Sequence, residues 1–280
     1  MKRALIFSLL GVWSITCLLA QPVGSTRPLP TAEEIKAAND SILAEAYQLY
    51  LHEKVAWVLE DIFYASQSEA INDVEGWIPA TEDGVTVKGI FFNKDKTKAL
   101  FEASINIQTG ETSSTSTDRD LTEEEMEEIN VHQNVINAVG SLDDIPSCPE
   151  GCTFNVEVLT IGKDLYRVYW MLGTTEHDVI PFGCDFSYDC DASGSIKDFR
   201  RYHQSFIPAS LTYEGEPVRE IWHSHTSLCP YIAPTDIALF LLYGYELSAL
   251  TGFKVYSPAL QCYFVFDAES YEIKVEKPRT

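Results

Sequence analysis

The chain has 280 residues, with 42 acidic against 20 basic side chains and a formal charge of −22. A surface that acidic repels phosphate backbones and anionic lipid, which sets nucleic acid aside as a partner. The carboxylates are not arranged in an Asp-x-Asp-x-Asp-Gly loop, so their excess carries no calcium signal.

Met1-Lys2-Arg3 precedes an apolar run from Ala4 to Ala20 and the polar Gln21-Pro22, the pattern of a secretory signal peptide over residues 1–20. Ile15-Thr16 lacks the small residue that precedes a lipidated cysteine, so anchoring through Cys17 is not expected. Removing Lys2 and Arg3 leaves 18 − 42 = −24. No later segment is long and apolar enough to span a bilayer, so a soluble, exported mature chain is expected, in the periplasm or outside the cell. A Pro-rich leader occupies 21–30.

Thr31-Ala-Glu-Glu34 is a capping box that opens a helix running to about Ile62. Residues 76–84 are turn-rich. Val85 to Phe92 and Ala99 to Gln108 read as a hairpin around Asn93-Lys-Asp-Lys96, followed by a polar Ser/Thr loop over 112–120. Thr122-Glu-Glu-Glu125 is a second capping box, and its helix ends at Gly140. The spacer after it separates an N-terminal α/β region (31–145) from a second domain (150–280).

Beyond Thr153 the chain turns β-rich. Strands are predicted over Phe154–Ile161, Leu165–Leu172 and Val179–Tyr188, with strand or mixed structure over Ile196–Ile207. A strand over Glu220–His225 leads to a helix from Pro234 to about Leu250, and three further strands cover Phe253–Tyr256, Gln261–Phe266 and Tyr271–Val275. Strands segregated from a few helices indicate an α+β fold: a C-terminal mixed β-sheet with a helix after the histidine-bearing strand, preceded by a helix–hairpin–helix region. Six cysteines follow the signal peptide (Cys148, Cys152, Cys184, Cys190, Cys229 and Cys262), and an even count in an oxidising compartment predicts disulfides with the connectivity open.

The chemistry concentrates in Glu220-Ile-Trp-His223-Ser-His225 and the Asp236 that follows. Residues two apart on a strand face one side, so both imidazoles address one point, while Trp222 is expected to turn to the opposite face and pack in the core. Two imidazoles, one carboxylate and an open fourth position are what a catalytic zinc site requires. No Ser/His/Asp elbow, glycine-rich phosphate loop or redox Cys-x-x-Cys competes with it.

This segment resembles the JAMM (MPN/JAB) metalloproteases, whose signature is His-x-His, seven residues, Ser, two residues, Asp. The resemblance implies zinc ligation by His223, His225 and Asp236, with a water in the fourth position that attacks an amide carbonyl. It also implies an upstream glutamate as catalytic base, for which Glu176 stands 223 − 176 = 47 residues ahead of His223, with Glu157 as a second candidate. The sequence departs from the pattern at the serine, which is Ala233 here, with Thr235 and Thr226 as substitutes for the missing hydroxyl. More broadly, the stretch from Val179 to Phe266 is similar to a group of uncharacterised exported bacterial proteins, which suggests that His203 and Asp185 belong to the same site. Otherwise they are a satisfied interior histidine and a strand-end carboxylate.

Three functions are compatible with these residues. One is an exported zinc-dependent hydrolase of peptide or isopeptide bonds. Another is a catalytically inactive JAMM-like binding or scaffold module of the bacterial envelope. The third is a metal-free, hydrogen-bonded structural cluster. The first two imply a peptide or protein substrate or partner outside the cytoplasm.

Overall fold

The computed structural model describes residues 29–66, 72–81, 85–245, 248 and 250–278; the expected signal peptide (1–20), Cys17 and most of the expected leader (21–30) lie outside them. Helix α1 (Ala32–Ala65) starts where its capping box places it: Thr31 Oγ1 accepts from the Glu34 N–H at 3.2 Å, and Glu34 Oε2 accepts from the Thr31 N–H at 2.7 Å. Strands β1 (Val74–Thr81), β2 (Thr86–Asn93), β3 (Lys98–Asn106) and β4 (Thr112–Asp120) form an antiparallel sheet in that order. Two of them fall where turns and a loop were expected. β1 pairs along β2 despite its glycine and proline, and β4 is an edge strand held by its ladder to β3. Its Ser/Thr side chains are mostly exposed, so β4 shows no hydrophobic alternation to betray it.

Adjacent β2 residues serve opposite faces of this sheet. Phe91 packs with Leu59 and Phe63 of α1. Ile90 and Phe92 pack with Ile129 of α2 (Glu123–Asn137), whose own capping box joins Thr122 and Glu125. A 3-10 turn over Ala138–Ser141 closes α2.

The remaining strands are β5 (Cys152–Gly162), β6 (Leu165–Thr174), β7 (Val179–Gly183), β8 (Phe186–Cys190), β9 (Ile196–Arg201) and β10 (Phe206–Ser210). They are followed by the short hairpin β11 (Thr212–Tyr213) and β12 (Glu216–Pro217), then β13 (Glu220–Ser224), α3 (Pro234–Leu239), β14 (Gly252–Ser257), β15 (Cys262–Asp267) and β16 (Glu272–Glu276). One sheet runs β5-β6-β8-β9, a two-stranded ribbon joins β10 to β7, and the C-terminal sheet runs β13-β14-β15-β16. In that last sheet β13 and β14 are parallel, so the chain crosses over between them through α3. This is the expected α+β architecture with its C-terminal mixed sheet.

The strand expected over Val179–Tyr188 is two strands. Gly183 (φ 96°) and Cys184 (φ 54°) turn the chain out of one sheet and into the next. Gly183 must lack a side chain, because a Cβ there would lie 2.1 Å from the Ser205 carbonyl oxygen. The helix expected to reach Leu250 keeps α-geometry only to Leu239 and continues as a π turn over Phe240–Tyr245.

α1 packs along both halves of the chain. Its Ala46 lies in the same core as Ile237, Phe253 and Phe264. Glu45 on α1 accepts from Arg167 of β6 at 2.9 Å, and Arg167 also grips Asp189 of β8 at 2.7 Å. Arg200 of β9 completes this buried cluster, 3.1 Å from Asp189.

The six described cysteines are free thiols, which corrects the expectation of disulfides. Three of them are separated by the packing itself: Cys190, Cys229 and Cys262 each sit in a different apolar core. Cys148 and Cys152 are joined by a hydrogen bond from the Cys148 thiol to the Cys152 carbonyl at 3.3 Å.

Candidate metal centre

Burial alternates along β13, so Ile221 and His223 face inward while Glu220, Trp222 and Ser224 face out. Trp222 does turn away from His223, but into solvent rather than into a core, with 61% of its surface exposed. β13 is the edge strand of its sheet, and Glu220, Trp222 and Ser224 on its outer face are exposed. His225 follows directly, and its N–H extends the ladder to the Tyr256 carbonyl at 2.9 Å. Asp236 sits in the first turn of α3, where its Oδ2 accepts from the Ala233 N–H at 2.9 Å. Alanine has no acceptor with which to return that bond, so only half of a capping box is present.

His203 arrives from the far side. It lies two residues past β9, and the Tyr202 N–H donates to the Asp185 carbonyl at 3.1 Å, which ties the end of β9 to the break before β8. His203 Nε2 then stands 2.8 Å from His225 Nε2 and 3.3 Å from His223 Nε2, with 3.1 Å between the latter two. The Asp236 carboxylate completes the group, at 3.5 Å from His203, 3.3 Å from His223 and 3.1 Å from His225. All four residues are buried, and their donor atoms lie within 4.8 Å of one another.

These six separations span 2.8–3.5 Å, with Asp236 facing His203 and His223 through Oδ1 and His225 through Oδ2. Donors about 2.0–2.1 Å from a tetrahedral zinc ion stand about 3.3 Å apart, so the group has the dimensions of a single small cation.

The proton count points the same way. A backbone carbonyl can only accept, so the 3.2 Å contact between His225 Nδ1 and the Cys229 carbonyl puts a hydrogen on Nδ1. His203 Nδ1 likewise donates to Asp185 Oδ1 at 2.6 Å. The neutral rings therefore aim Nε2 lone pairs at each other, an arrangement that repels unless a cation or a proton sits between them. Asp236 Oδ1 is buried and accepts no hydrogen bond, another lone pair directed at the same space.

Electrostatics follow from this crowding. Burial opposes the charged form of His203, but Asp185 and Asp236 outweigh it and hold the imidazole above its usual range. His225 is raised further against the same burial by the Asp236 carboxylate. Burial would lift Asp236, yet the three imidazoles hold it well below the usual carboxylate range. Outside this group, Asp185 orients His203 and the Cys229 carbonyl orients His225, the supporting bonds that metal-binding histidines characteristically make. Thr235 Oγ1 donates to Asp185 Oδ2, and the pair is fully buried.

The site therefore differs from the three-ligand expectation at its fourth corner. His203 stands there beside the three expected residues, so four donors rather than three face the shared space. Glu176 is not among the gathered residues; it is exposed in the turn between β6 and β7, with its N–H bonded to Thr174. Glu157 lies on β5 and pairs with His52 at 3.3 Å. Ala233 is buried without a hydroxyl, the Thr235 hydroxyl is engaged with Asp185, and Thr226 is exposed and accepts from the Leu228 N–H. The Cys229 carbonyl was not anticipated, because a backbone acceptor leaves no mark in the sequence.

Compared with protein-family models, curated proteins and solved structures, the chain matches none. What is established is a buried group of three histidines and one aspartate that could hold a metal ion.

Proposed function

We propose that this chain is an exported binding module whose C-terminal part is organised around a tightly held zinc ion. The observation that carries this reading is the fourth protein donor. Zinc sites that serve structure are closed by four protein ligands, whereas catalytic sites keep a position open. His203 fills that position, all four donors are buried, and among the described residues no carboxylate other than Asp236 belongs to the group. Three imidazoles and a carboxylate gathered at these distances suit zinc among the common divalent ions. Export rests on the N-terminal basic–apolar–polar pattern, and a peptide or protein outside the cytoplasm is the expected partner. Among the described residues no helix is long and apolar enough to cross a membrane.

Zinc-dependent hydrolysis of peptide or isopeptide bonds is the second reading. It is favoured by a cleft of about 280 Å³ whose wall includes His223 beside Phe182, Trp222 and Phe253. Incubating zinc-loaded protein with a mixed peptide library separates the two. Intact peptides after prolonged incubation are the expected result. Cleavage that disappears in Asp236→Ala would establish the hydrolase instead.

A further inference from the structure

A second cavity lies apart from the histidine cluster, enclosed by α1, the N-terminal sheet, α2 and β5, with a volume of about 840 Å³. That is the size of a site for a small organic ligand. Its most unusual wall residue is Glu53, which sits on the inner face of α1 one turn after Leu49 and is only 3% exposed. Glu53 Oε2 accepts from Asn155 Nδ2 at 2.9 Å, while Oε1 is buried and has no hydrogen-bond partner. An unpaired buried oxygen carries an uncompensated desolvation cost, so a donor from a ligand would relieve a real penalty.

The surroundings define which donor. Glu60, Glu128 and Glu157 also line the space, and the basic groups on its wall are His52 and His132. Such a wall repels phosphates and carboxylates. Trp57 and Trp77 add aromatic surface, with the Trp77 indole N–H on Glu60 at 3.3 Å. Carboxylates next to indole faces favour a cation on a hydrocarbon frame, since the rings attract the cation and pack the methylenes.

We propose that this cavity binds a small organic polycation of the alkylammonium class, with one ammonium group hydrogen-bonded to Glu53 and Glu157. The site is independent of the metal reading. Burial, then Glu157 and Glu60, push the Glu53 carboxyl up to about 8, with Asn155 and Trp57 pulling less strongly the other way. Glu53 is thus mostly protonated near neutrality and gives up its proton when an ammonium arrives. His52 contacts Glu157 at 3.3 Å, His132 contacts Glu128 at 2.9 Å, and Tyr243 faces the Glu53 carboxyl from the π turn.

The test uses calorimetric titration of the full metal-loaded chain at pH 7 and physiological salt, with spermidine, 1,6-diaminohexane, 1,6-hexanediol and magnesium chloride as probes. The expected result is binding of both amines, at least about tenfold weaker binding of the diol, and none of magnesium. Titrations in two buffers of different ionisation enthalpy should show proton release on amine binding. Glu53→Gln should abolish that release and weaken the amines by about tenfold or more while the bound metal is retained. Glu157→Gln should weaken them with release reduced but not abolished, because burial, the larger cause of the raised Glu53 carboxyl, remains. Equal affinity for amine and diol, magnesium competing with the amines, or amine binding unchanged in Glu53→Gln would each overturn the proposal. So would the absence of binding by either amine.

Discussion

Asp185 and His203 are joined by a 2.6 Å hydrogen bond between Oδ1 and Nδ1, both side chains almost completely buried. The bond fixes the His203 tautomer and aims Nε2 at the space shared by His223, His225 and Asp236. Asp185→Asn should therefore weaken metal binding by about 10–100-fold without abolishing it. Competition with a chromophoric chelator measures this. An unchanged affinity would mean that Asp185 only fills space.

Phe253 stacks between Phe182 and Phe240, with ring centroids 5.3 and 5.2 Å away, and lies 5.6 Å from the His223 ring. Phe253→Ala removes the wall against which His223 rests. It should destabilise the chain by about 3–5 kcal/mol in urea unfolding and lower metal affinity as well. A stability loss with metal affinity intact would separate this core from the site.

Arg167 links α1 to the central sheet through Glu45 and Asp189, with only 7% of its side chain exposed. Removing one member of a buried ionic cluster leaves the others uncompensated, so Arg167→Met should cost about 3–5 kcal/mol. The loss should shrink when Glu45→Gln is added, because the second change removes one of the stranded charges. Additive losses in that double-mutant cycle would argue that the ion pair carries no coupling.

What the sequence revealed of this molecule follows from how local each feature is. Thr31 and Glu34, Thr122 and Glu125, and the two-residue spacing of His223 and His225 are contacts within a turn or a strand, so pattern alone exposes them. His203 reaches the site through the register of β8 on β9, where Phe186 faces Arg201, and no spacing rule contains that pairing. His203 and Asp185 were suggested only by a resemblance that no matched relative supports, and the four-donor grouping was not anticipated. β4 was hidden for the opposite reason. An edge strand of exposed hydroxyls is held by backbone bonds and leaves no apolar period. Trp222 was misplaced because a large aromatic on a strand is ordinarily core material, and β13 happens to be an edge.

Glu53 should make stability pH-dependent in a defined direction. Its carboxyl titrates near 4.5 when unfolded and is pushed up to about 8 by burial and Glu157 in the folded chain. Across that window the folded state holds a proton that the unfolded state has released. Its contribution is therefore full below about pH 4.5, declines as pH rises to about 8, and is level above. Relative to the parent, Glu53→Gln should gain stability with rising pH at no more than about 1.4 kcal/mol per unit, and only within the window. Urea midpoints at several pH values, with both proteins stripped of metal, give the comparison. A constant difference would show that Glu53 is ionised throughout.

The central claim is a single metal ion closed in by four protein donors. Its most direct test is elemental analysis of the purified chain, paired with the visible spectrum of the cobalt-substituted form. One zinc per chain is expected, together with the intense bands of four-coordinate tetrahedral cobalt, which should weaken in His203→Ala as water enters the vacated corner. A chain that binds no metal stoichiometrically, or a cobalt spectrum that His203→Ala leaves unchanged, would contradict it.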